Sequence, residues 1–102
     1  STENKGIIAQ KVCSVYNNRT ITPASAKLAE DIFRIMIKDR EIKVREALSS
    51  SLKNCTNLPK DVVDSIINDA DCVALPFIQY YSSLTDEDLI KIIDSQKKGR
   101  MA

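Results

Sequence analysis

Six successive stretches of this chain place apolar residues three and four apart, and nowhere do β-branched residues alternate over a strand's length. Helical periodicity repeated in this way restricts the fold to a packing of helices. The punctuation agrees with the periodicity. Thr22-Pro23 is a helix start, with a hydroxyl able to cap and a proline whose missing N–H costs nothing at the first helical position. Asp39-Arg40 reads as a turn, and Leu58-Pro59 opens a helix with Asp61 in its first turn. Thr85-Asp86-Glu87-Asp88 opens another, with Leu84 and Leu89 placed as a hydrophobic staple and Gly99 as the stop. The spacing predicts helices over 5–17, 23–38, 41–54, 59–69, 72–81 with Asp71 as its cap, and 86–98 with Thr85 as its cap, fraying over 1–4 and 97–102 at the ends of one domain covering 1–102.

Each helix carries its own stripe. In the first it is Ile8, Val12, Val15 and Tyr16. The second has an arc from Leu28 to Met36 so wide that it predicts more than one packing neighbour. In the third, Val44, Ala47, Leu48, Ser51 and Leu52 face inward, and Lys43, Glu46, Ser49, Ser50 and Lys53 outward. The fourth buries Val62, Val63, Ile66 and Ile67, and the sixth Leu89, Ile92 and Ile93. The fifth is apolar nearly all round, and Pro76 within it predicts a kink. With 102 residues and 43% apolar composition, the chain is long enough for one core and too short for two.

The pattern also repeats. Leu58 to Val63 aligns with Leu84 to Leu89 at an offset of 26, and Ile66-Ile67 then falls on Ile92-Ile93. Val44 with Ala47-Leu48 aligns with Val73 and Pro76-Phe77 at an offset of 29. A helix–turn–helix unit that leaves an apolar face for the next unit builds an α-solenoid, and the plain alternative is a six-helix bundle.

The run Asp39-Arg40-Glu41-Ile42-Lys43-Val44-Arg45-Glu46-Ala47-Leu48 resembles the first helix of a HEAT-type repeat. Leu58-Pro59-Lys60-Asp61, followed by Leu84-Thr85-Asp86-Glu87-Asp88-Leu89-Ile90, resembles a family of uncharacterised bacterial proteins with HEAT-like helices, over roughly residues 22–95. Pro76 agrees with the prolines common in first helices of such repeats. The resemblance implies an all-α fold of three stacked antiparallel hairpins in a short right-handed superhelix. It implies no reaction.

Composition excludes much chemistry. There is no His, hence no Ser-His-Asp triad, no Cys-His dyad and no imidazole ligand. Two glycines leave no phosphate-cradling loop. Asp86, Glu87 and Asp88 could be an acid/base or metal cluster, but consecutive helical residues diverge and a helix start favours acids anyway. Asp69 and Asp71 lack calcium-loop spacing. Ser49-Ser50-Ser51 and Ser82-Ser83 read as helix-surface and turn serines. No catalytic residue, cofactor or metal is expected. Cys13, Cys55 and Cys72 are odd in number and lack C-x-x-C spacing, which predicts reduced thiols in a cytoplasmic protein. A Cys55–Cys72 bond is conceivable on spacing alone. The start, Ser1-Thr2-Glu3, suits either a removed methionine or a segment of a longer protein.

Two surfaces remain as binding candidates. Leu75, Ile78, Tyr80 and Tyr81 on the fifth helix form a candidate protein interface, with a central core helix as the plain reading. Lys38, Arg40, Lys43 and Lys53 form a candidate basic patch for nucleic acid. It is interrupted by acids and lacks the aromatic residues that stack on bases. Arg45 reads instead as an ion-pair partner between repeats, with Asp71 or Glu46. The net charge is +1, divided as +4 over residues 1–54, −6 over 55–96 and +3 at the end. That asymmetry suits solvated helix faces or charge-driven self-association. The function expected is a non-catalytic protein-interaction domain, with a nucleic-acid-binding module or a self-assembling one as alternatives.

Overall fold

The computed structural model describes residues 2–97, and among them every regular element is a helix. These are α1 (Thr2–Tyr16), α2 (Pro23–Met36), α3 (Ile42–Leu52), α4 (Lys60–Ile67), α5 (Asp71–Tyr80) and α6 (Asp86–Lys97). α1 packs on α3 and α3 on α5, so the three lie in a row. α2 packs on α1 and α3, and α4 on α5. α6 is joined to α4 by ion pairs, and it contributes Ile92 to the core. The whole measures 40 × 31 × 18 Å.

The helix starts follow the expected chemistry. The Thr22 hydroxyl accepts from Ser25 N–H at 3.1 Å, ahead of Pro23. Thr85 and Asp88 cap each other: Asp88 N–H donates to the Thr85 hydroxyl and Thr85 N–H to the Asp88 carboxylate, both at 3.1 Å. α1, however, starts at Thr2, so residues 2–4 are helical rather than frayed. The expected stop at Gly99 lies outside the described residues. Asp71 is the first residue of α5 rather than its cap, which is Ala70. The helix continues through Pro76.

The core gathers Phe33 from α2, Val44, Leu48 and Leu52 from α3, Val62, Val63, Ile66 and Ile67 from α4, and Val73 and Phe77 from α5. α1 contributes a different face from the one its large residues suggest. Ala9 and Cys13 are its buried positions, and a Cβ on Gly6 would sit 3.4 Å from Ala47 Cβ. Small side chains let α1 approach α3 closely, which leaves Ile8 and Val15 exposed. Ser49 also departs from expectation. It points inward, fully buried, and its hydroxyl donates to Val73 O at 2.6 Å. A buried hydroxyl is tolerated because it has a carbonyl to bond.

Adjacent elements are tied by polar contacts that span 14 to 34 residues. Lys5, the fourth residue of α1, reaches Asp39 in the turn before α3 at 2.8 Å. Arg45, the fourth residue of α3, makes a two-point pair with Asp69 in the turn before α5. Each acid also accepts from a backbone N–H of its own turn, Glu41 for Asp39 and Ala70 for Asp69. On the even helices, Arg34 pairs with Asp61, Lys60 with Asp88, and Lys91 with Asp64. Asn57, in the left-handed region at φ 54°, turns the chain into α4. It donates its N–H to Ser83, and the next residue, Leu58, donates to the Tyr81 hydroxyl.

Candidate protein-docking faces

The fifth-helix candidates separate on folding. Tyr81 is a core residue: it is buried, stacks on Phe77 with centroids 4.5 Å apart, and accepts from Leu58 N–H at 2.9 Å. Ile78 packs against the core. Leu75 and Tyr80 are exposed, but residues five apart lie about 140° around a helix, so they do not share a face. Lys53 sits over the Tyr80 ring, 4.8 Å from its centroid. Tyr81 is lost from the expected interface because an aromatic residue ending a helix can turn inward once a backbone donor meets its hydroxyl.

The basic residues converge only in part. Lys38 and Arg40 flank Asp39 in the α2–α3 turn and line one pocket with Lys5 of α1. Lys43 pairs with Glu46. Lys53 follows the far end of α3, about 15 Å from Lys43 at the helical rise. Arg45 is an inter-helix ion-pair residue as expected, but its partner is Asp69, not Asp71 or Glu46.

The surface that does gather is apolar and lies between α1 and α2. A groove of about 230 Å³ is lined by Lys11, Val12, Val15, Ser25, Leu28, Ala29 and Ile32. A second, of about 220 Å³, is lined by Lys5, Ile8, Ile32, Ile35, Met36 and Asp39. Ile32 is common to both. Leu28 and Ile35 are 64% and 73% exposed, unusual for residues of their size on a well-packed helix. The wide apolar arc of α2 was the signal for this groove. One side of that arc packs on the core, and the other lines the groove.

A second apolar face lies on α6. Leu89, Ile90 and Ile93 are 44%, 59% and 52% exposed, whereas Ile92 is buried. The expected buried stripe of Leu89, Ile92 and Ile93 is thus reduced to Ile92. Leu89 and Ile93 occupy the repeat positions of Val63 and Ile67, which are buried in α4. α4 has α5 packed on it, whereas no described helix packs on α6 as extensively.

The titratable groups are arranged for structure. Lys5, with the Glu41 N–H, holds the Asp39 carboxyl below its ordinary range, and Arg34 does the same for Asp61. Burial alone would raise Asp88, but the Thr85 N–H and Lys60 outweigh it and the group is lowered. Cys13 and Cys55 are both buried. The interaction with the Cys55 thiol, together with burial, pushes the Cys13 thiol up, so it keeps its proton. Cys72 is exposed, so the neighbouring pair is Cys13–Cys55 rather than Cys55–Cys72. Among the described residues, no group of three or more His, Cys, Asp or Glu is disposed to hold a metal, and no helix is long and apolar enough to cross a membrane.

Comparison of the chain with protein-family profiles, curated proteins and solved structures gave no match.

Proposed function

We propose that this chain is a short right-handed HEAT-like array of three antiparallel helical hairpins, and that it works as a non-catalytic protein-docking module. The observation that carries the reading is the open apolar groove between α1 and α2. Apolar surface of this kind on a folded chain marks a contact with another macromolecule. The row of α1, α3 and α5 supports the array, as do the cation–acid pairs that recur at the fourth residue of α1 and of α3. The 18 Å thin dimension fits two helix layers. Buried thiols without a disulfide suit a reducing compartment such as the cytoplasm. Nucleic acid is the weaker reading because Asp39 and Glu41 interrupt Lys38 and Arg40, Lys43 pairs with Glu46, and Lys53 lies past the far end of α3.

The test is photo-crosslinking in cells from a benzophenone side chain at position 28 in the groove, with position 43 on α3 as the control. The expected result is a discrete protein adduct from position 28 and none from position 43. No adduct from position 28, or equal labelling from both positions, contradicts the reading.

A further inference from the structure

We infer that the two apolar faces are complementary ends, and that the α6 stripe of one copy docks in the α1–α2 groove of a second copy, head to tail. The inference rests on the docking reading above and names the partner as the chain itself. Three observations lead to it. First, α6 presents at Leu89 and Ile93 the positions that α4 uses at Val63 and Ile67, where α5 is its neighbour. The occupant missing from α6 is therefore a helix of the α5 kind. Second, α1 is such a helix: it lies in the same row as α3 and α5, and its Ile8, Val12 and Val15 face an open groove. Third, the charges beside the two faces are opposite. On α6, Asp86, Ile90 and Asp94 follow one another four residues apart along one row, and on α1 so do Ile7, Lys11 and Val15. Lys27, beside Leu28, pairs with Asp31, and Lys5 is held by Asp39, so Lys11 is the groove cation that no described acid holds. An acidic apolar stripe thus meets an apolar groove that carries Lys11. Because the two faces differ, the contact is heterologous and extends into a chain of copies rather than closing as a symmetric dimer.

Two end-blocked variants test this. Val15→Glu/Leu28→Glu spoils the groove and leaves α6 intact, while Ile90→Lys/Ile93→Lys spoils the stripe and leaves the groove intact. All four positions are exposed, and unchanged circular dichroism and melting confirm that each variant folds. By light scattering, the unaltered chain should gain mass with concentration, each variant should stay monomeric, and their mixture should form a one-to-one heterodimer. Raising salt from about 0.05 to about 0.5 M should weaken the heterodimer severalfold. A monomeric mixture, a homodimer of either variant, or an unaltered chain that stays monomeric at every concentration overturns the inference. The adducts at position 28 separate this failure from that of the broader reading: with a monomeric chain, an adduct to a different protein keeps the docking reading and removes the second copy as occupant.

Discussion

Arg45 and Asp69, separated by 24 residues, meet in a two-point pair, with Nε 2.8 Å from Oδ2 and Nη2 3.2 Å from Oδ1. The remaining Arg45 nitrogen donates to Asp39 O at 2.8 Å, and Asp39 in turn holds Lys5. A line of polar contacts therefore runs from α1 through the α2–α3 turn and α3 to the turn before α5. At the fourth position of α5 stands Ala74, so the line ends there.

This line should matter to stability. Arg45→Ala removes a largely buried, charge-assisted pair and a carbonyl contact, and should cost about 2 kcal/mol in urea unfolding. Arg45→Lys keeps the charge but not the planar fork, and should recover less than half of the loss. Full recovery by lysine would show that only the charge matters.

Tyr81 and Tyr80 should respond in opposite ways to loss of the hydroxyl. Tyr81→Phe leaves the Leu58 N–H without its acceptor in a buried setting, and should cost about 1–3 kcal/mol. Tyr80→Phe, on an exposed ring, should leave the unfolding midpoint unchanged. Equal effects would contradict the placement of Tyr81 in the core.

Acid should destabilise the chain through its depressed carboxyls. Asp39, Asp61 and Asp88 all bind protons less readily when folded than when unfolded. Their stabilisation is therefore present above the unfolded carboxyl range and is lost as pH falls through the folded values. The melting temperature should be level down to about pH 5 and decline below about pH 4. A melting temperature that rises on acidification would contradict these pairs.

The thiols offer a direct count. A thiol reagent at neutral pH should label Cys72 rapidly, and Cys13 and Cys55 only on unfolding. Rapid labelling of all three in the native state would contradict the buried pair.

Helix number and most helix boundaries were legible in the sequence, because caps and three-four spacing are local signals. Thr22-Pro23 and Thr85 to Asp88 act as their chemistry dictates. The docking faces were not legible, because periodicity shows that a face is apolar without showing what covers it. Leu89 and Ile93 have the same pattern as Val63 and Ile67, yet only the latter two are buried. Ser49 and Tyr81 were misplaced for a related reason. Each is buried through a hydrogen bond to a residue more than twenty positions away, which no local pattern encodes. In α1, the large residues drew attention from Ala9 and Cys13, although small side chains are what allow α3 to approach.

The α6 stripe of one copy is thus made to cover the α1–α2 groove of the next. The most direct measurement is the solution mass of the unaltered chain by light scattering across a wide concentration range at low salt. The mass should climb steadily past a dimer as concentration rises and fall back when salt is added. A mass fixed at 11.4 kDa under all of these conditions would contradict it.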